Sequence, residues 1–217
     1  GTRAYGDGSQ VKTLRYYVYD GETLLEHLST EGTDEEVTLD DEGKASFSLP
    51  LLKGMTYNIL FWADRDEGHY SVGDKGIITV VNTDGHKIVA NDESRDAFFA
   101  AFTGFDPTKV TGTQSVTLTR PFAQLNAFAT DVADVAKSGV TLNKSTISTK
   151  IYTTLNPFAA EDAEDVGGLT DVIMFVEGEN PKSADGQHLS MNYLLAPKGR
   201  CVANVTFTFN NAEGKTI

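Results

Sequence analysis

Met55-Thr56-Tyr57-Asn58-Ile59-Leu60-Phe61-Trp62 is the stretch that decides the fold of this 217-residue chain. Met55, Tyr57, Ile59 and Phe61 alternate with Thr56, Asn58, Leu60 and Trp62, the period of two that a strand requires, and the run becomes apolar on both faces towards its end. Two apolar faces both need cover, so a central strand is expected here. Outward from it, Leu14, Tyr16 and Val18 alternate with Arg15, Tyr17 and Tyr19 as a second strand. Val37 and Leu39 begin a third, Asp40-Asp41-Glu42-Gly43 supplies a turn, and Ala45, Phe47 and Leu49 resume the alternation, which together predict a hairpin. Gly76 to Val81 is a further β-branched run that Asp84-Gly85 turns towards Lys87-Ile88-Val89.

One helix is expected in this half, with Asn91 as its cap, Asp92 and Glu93 at the positive end of the dipole, Phe98 and Phe102 on one face and Gly104 as its stop. From Val116 and Leu118 the inward phase changes at Arg120-Pro121, and Ala123, Leu125 and Ala127 follow in the new phase. A domain boundary is placed there, giving an N-terminal unit over 1–118 and a C-terminal unit over 119–217. Thr130 to Lys137 is expected to form a short helical turn closing near Gly139. Four strands follow, over Ile147 to Leu155, Val172 to Val176, Tyr193 to Leu195 and Cys201 to Phe209. The fold class is therefore all-β, two antiparallel β-sandwich domains in tandem with one or two short helices, and the length suits two domains of roughly 100 residues each.

Composition bounds the function. Apolar residues are 40% of the chain, with 12 Phe and 8 Tyr, enough to build packed cores without staples. Thirty-one acidic residues against 18 basic ones leave a net charge of -13, which argues against nucleic acid and anionic membranes as partners. Cys201 is the only cysteine, so no intrachain disulfide can form, and its place among Ala203, Val205, Phe207 and Phe209 reads as a small buried hydrophobe. No apolar run reaches the roughly 20 residues of a membrane-spanning helix. The chain opens Gly1-Thr2-Arg3 without an initiator Met, so any signal peptide is expected upstream.

Catalytic motifs are missing. There is no P-loop, dinucleotide fingerprint, Gly-x-Ser-x-Gly or His-Glu-x-x-His, and His27, His69, His86 and His188 are far apart and read as solvated loop residues. Asp64-Arg65-Asp66-Glu67-Gly68 begins like a calcium loop but has Lys75 at the twelfth position, where a bidentate Glu is needed. Glu161-Asp162-Ala163-Glu164-Asp165 reads as a solvated acidic loop. No metal and no cofactor is assigned, and no catalytic residue. The one ligand-binding candidate is an aromatic platform for sugar made by Trp62 with Tyr57 and Tyr70, Phe61 lying beside them; the competing reading makes the same rings alternating core and half-exposed strand aromatics.

The segment Leu51-Leu52-Lys53-Gly54-Met55-Thr56-Tyr57-Asn58-Ile59-Leu60-Phe61-Trp62-Ala63-Asp64, followed by Leu118-Thr119-Arg120-Pro121-Phe122-Ala123-Gln124-Leu125-Asn126, resembles the fimbrillin-like surface lipoproteins of Bacteroides-type bacteria. Within them it is similar to a subgroup known chiefly as a domain of unknown function. The resemblance implies two transthyretin-like sandwiches, export as a lipoprotein, a cell-surface, outer-membrane or fimbrial location, and no enzymatic activity. Its lipid-bearing Cys would lie upstream of Gly1. It further implies assembly with other subunits, or with itself, by strand addition. Processing after an Arg makes Arg3 a candidate remnant of the cleavage site. Relatives run on past the Phe207–Phe209 strand, whereas this chain ends Glu213-Gly214-Lys215-Thr216-Ile217, so a polymerisation tail is expected to be missing. The leading expectation is thus a structural subunit of fimbriae or a related surface assembly. The alternatives are an adhesin for a host glycan or protein that does not polymerise, and, more remotely, an unrecognised hydrolase.

Overall fold

The structure, a computed structural model, describes residues 6–33, 36–81, 87–128, 130–131, 134, 137, 144–159, 169–176, 188–196 and 205–210. Strands β1 (Thr13–Asp20), β4 (Tyr57–Asp64) and β8 (Phe98–Phe105) lie side by side and antiparallel, β4 in the middle, with Tyr16 opposite Phe61 and Leu60 opposite Ala101. Every β4 residue except Asn58 is buried, so the doubly apolar run does occupy the centre of a sheet.

The outer edge of β1 is closed along its length. β3 (Val37–Thr38) pairs with its start and β2 (Thr23–Leu24) with its end. Between them the loop after β2 takes over: Leu25 N donates to Val18 O at 2.8 Å, Thr30 N to Tyr16 O at 3.0 Å, and Val18 N to Ser29 Oγ at 2.9 Å. Buried amides need such partners, and a serine hydroxyl here stands in for a strand.

The two faces of this sheet are covered differently. Tyr17, Tyr19, Leu60 and Trp62 form a first core against a small antiparallel sheet of β5 (Tyr70–Val72), β6 (Ile78–Val80) and β11 (Thr154–Leu155). Val11, Leu14, Tyr16, Val18, Ile59 and Phe61 form a second core on the opposite face, closed by loops. Strand alternation on β1 and β4 thus feeds two cores from one sheet.

The expected hairpin is half present. Asp40 builds the turn, its Oδ1 accepting from the amides of Glu42 and Lys44 at 2.9 and 2.8 Å, and Gly43 takes the positive φ of 74° that the reversal requires. Residues 45–49 then run on without joining a ladder. The expected helix after Asn91 is overturned. The cap is Asp92 and not Asn91: its side chain accepts from Ser94 N, it caps a single 3-10 turn, Glu93–Arg95, and Phe98–Phe105 is strand β8. Residues four apart share a face in a strand as well as in a helix, so Phe98 and Phe102 fit both periods. Pairing with β4 decides between them, sending Phe98, Ala100 and Phe102 to the second core and Phe99 to the first. No helix of seven or more residues occurs among the described residues. The turn expected over Thr130–Lys137 lies mostly outside them, as do Asp84-Gly85 and Gly139.

In the second half β10 (Lys144–Tyr152) pairs antiparallel with β12 (Leu169–Phe175) and β14 (Val205–Asn210), over a third core of Ile88, Ile147, Ile151, Val172 and Met174. β9 (Phe122–Phe128) and β13 (His188–Leu195) form a separate two-stranded ribbon with an irregularity between His188 and Ser190. Pairing crosses the 118/119 step: β7 (Lys87–Val89) joins β12 in parallel, and β6 joins β11. Periodicity reports which way a residue faces, not which strand lies beside it. The result is an all-β, sandwich-type protein whose halves are interleaved.

Candidate functional site

Trp62, Tyr57 and Tyr70 do not form a surface platform, which corrects the expected sugar site. Trp62 is 0% exposed, Tyr57 1% and Tyr70 8%, and Tyr57 lies in the second core while the other two lie in the first. The Trp62 indole N–H donates to Asp64 Oδ2 at 2.8 Å, and its ring meets Tyr70 edge-on at 5.2 Å. The Tyr70 hydroxyl donates to Arg95 O at 2.6 Å, and burial pushes its pKa up. Tyr57 Oη accepts from Leu52 N at 3.1 Å and so ties down the 52–56 turn. Arg3 lies outside the described residues.

The two sequence blocks meet in space. Phe122 lies 5.6 Å from Tyr70 and 5.6 Å from Tyr193, so an aromatic row Trp62–Tyr70–Phe122–Tyr193 joins the first sheet to the ribbon. Arg120 grips Asp96 with two bonds of 2.8 Å, donates to Gly6 O, and lies 4.6 Å over the Phe98 ring. Asp64 is 4% exposed and accepts from Arg15 and from Trp62, both at 2.8 Å. The residues that carry the resemblance are therefore architectural.

A polar cluster gathers on the turn Asn91–Asp96, from which several residues reach out to other elements. Asn91 bonds Met191 of β13 in both directions (N to O 2.8 Å, Met191 N to Oδ1 2.7 Å), Glu93 Oε1 accepts from Gly6 N at 2.8 Å, and Asp96 holds Arg120. Ser94, His69 and Asp92 meet beside them: His69 Nε2 is 2.6 Å from Ser94 Oγ and 3.6 Å from Asp92 Oδ2, and Ser94 Oγ itself donates to Asp92 Oδ1. In a nucleophilic triad the carboxylate orients the imidazole through the nitrogen opposite the serine. Here serine and carboxylate share one ring nitrogen and bond each other, so the trio braces a turn. Burial first, then the Arg95 guanidinium, push the His69 pKa down against the pull of Asp92. Sequence reasoning missed this cluster, although Asn91-Asp92-x-Ser94 carried its signal as side-chain-capped turn chemistry.

Of the other candidates, His188 is buried, stacked 4.4 Å from Phe128 and bonded through Nε2 to Ser190 O at 3.0 Å, while His86, Glu161–Asp165 and Cys201 lie outside the described residues. Two of the four histidines are thus packed rather than solvated. Among the described residues no group of three or more His, Cys, Asp or Glu is arranged to hold a metal. The Asp64 carboxylate of the pseudo-calcium loop is occupied by Arg15 and Trp62. A cleft of about 190 Å³ lined by Arg15, Glu31, Glu36 and Asp66 is open beside β1.

The feature best suited to a partner is the second core's cover. Segments 44–51 and 110–118 lie against it outside any ladder, with Leu49, Leu51, Val116 and Leu118 half-buried. Phe47 stacks on Tyr16 at 4.9 Å yet stays 36% exposed, and Leu52 is 65% exposed. Among the described residues the backbone of 45–50 bonds only through Leu49 O to Leu51 N, and 110–118 makes no backbone–backbone bond. Phe99 exchanges both bonds with Thr119, at 2.8 and 2.9 Å, and there the pairing on β8's outer side stops.

An antiparallel β-sandwich protein with a partly covered apolar face is the class these features define. The chain belongs to a family of unknown function (DUF6562), whose model matches residues 2–217. No curated protein and no solved structure matches it.

Proposed function

We propose that this protein is a structural subunit of fimbriae or a related cell-surface assembly, exported as a lipoprotein, joined to its neighbours by β-strand complementation and serving cell adhesion. The observation that carries the reading is the second core. A native sandwich closes its apolar face with a hydrogen-bonded sheet; here two segments that join no ladder cover it instead. Phe99 bonds outward to Thr119, so Ala101, two residues on, turns its backbone groups to the same open side. A neighbour's strand would gain main-chain bonds there, and the residues flanking that strand would cover Phe47, Leu49 and Val116 over the same core. The adhesin alternative through Trp62 would need that ring at the surface, where it is not.

Electron microscopy of cells carrying the full-length gene, its deletion, or Phe47→Asp tests the proposal. Surface filaments lost in the deletion and in Phe47→Asp are expected, with the purified variant keeping native Trp62 emission. Unchanged filaments in the deletion strain would refute it.

A further inference from the structure

The β9–β13 ribbon is a wall between two cores, and its two faces are unequal. Phe122, Tyr193 and Leu195 look to the first core, where aromatic rings seat them against Tyr70. Leu125 and Leu194 look to the third core, and Ser190 and Asn192 alternate with Leu194 on that same face. Ser190 is 1% exposed and Asn192 4%, yet Ser190 Oγ and both amide atoms of Asn192 have no hydrogen-bond partner. The first-core side carries one such atom, the Tyr193 hydroxyl. A buried orphan polar group holds its desolvation penalty while the interface is shut and regains water when it opens. Opening the third-core side releases three orphans; opening the first-core side releases one and breaks the aromatic row.

One short segment bridges the two sides of that seam. Ala90 N donates to Phe175 O on the sheet side, and Asn91 N donates to Met191 O on the ribbon side, both at 2.8 Å. Asn91 between them has a φ of 63°, a left-handed conformation that Asn tolerates better than most residues.

We propose that the molecule opens along the seam between the ribbon and the β10–β12 sheet, pivoting at Asn91 and at Thr153, where β10 passes into β11 on the first core, with the ribbon staying attached to the first sheet. Two buried methionines report on the two sides: Met174, 1% exposed, faces the third core, and Met191, 0% exposed, shares the ribbon face of Tyr193 and Leu195. The full chain is treated with dilute hydrogen peroxide in native buffer and sulfoxide is followed peptide by peptide. Local opening makes Met174 oxidise about tenfold or more faster than Met191. Asn192→Leu, which removes two orphans, slows Met174 towards the Met191 rate. Equal rates in the wild type, or Met191 leading, overturn the proposal. Should Asn192→Leu not fold, Ser190→Ala removes one orphan without added bulk, and an unchanged Met174 rate in that variant overturns it equally.

Discussion

Replacing Arg120 by Met tests the junction between the two sequence blocks. Its guanidinium meets Asp96 twice at 2.8 Å, donates to Gly6 O and lies over Phe98. The Asp96 side chain is 4% exposed and that of Arg120 36%, so the carboxylate is shielded while the cation is partly wet. Asp96 raises the Arg120 pKa through their hydrogen bond, the direction expected of a favourable pair. Breaking a fully buried pair from one side costs about 3–5 kcal/mol, because the remaining charge is stranded. Discounted for the exposure of Arg120, the expected loss is about 2–4 kcal/mol. Urea unfolding followed by the emission of Trp62, the only tryptophan, measures it. Asp96→Asn completes a double-mutant cycle, in which a coupling of about 1.5 kcal/mol or more is expected. A loss under about 0.5 kcal/mol for Arg120→Met, or strict additivity in the cycle, would show that the pair is an incidental surface contact.

Three further outcomes follow from particular contacts. His69 has a lowered pKa in the fold, so the unfolded chain takes up its proton first as pH falls; the stability is whole above about pH 6.5 and declines below it. In His69→Gln that component should vanish, read as the difference in urea midpoint between wild type and variant at pH 7.5, 6 and 5. Ser29→Ala leaves the buried Val18 amide without its acceptor and should cost about 1–3 kcal/mol, measured by thermal unfolding. Gly8→Ala places a Cβ 2.8 Å from Phe98 Cζ at a φ of 77°, so the segment before β1 should detach and become cleavable in limited proteolysis while the core stays intact.

The architectural reading succeeds where a residue's environment is local. Two apolar faces on residues 57–62 demand cover on both sides whatever the partner, and β4 is the central strand accordingly. The turn at Asp40–Gly43 is equally local, set by side-chain bonds two and four residues away. It fails at Phe98–Phe105, where two aromatics four apart satisfy both periods and only the presence of β4 alongside selects the strand. At Trp62 it leaves core ring and surface platform both open, because a large aromatic on a strand looks alike whether a second sheet lies over it or not.

By itself the amino-acid sequence determined the all-β class, the central strand and the acidic character, since these depend on alternation and composition that each segment carries alone. Tertiary structure alone decided that β7 and β11 join sheets from the other half, that Arg120 finds Asp96, and that one face of the first sheet is left with an incomplete cover. Those outcomes turn on pairings between residues tens of positions apart, and a hydrogen bond or buried ion pair leaves no periodic mark on either partner.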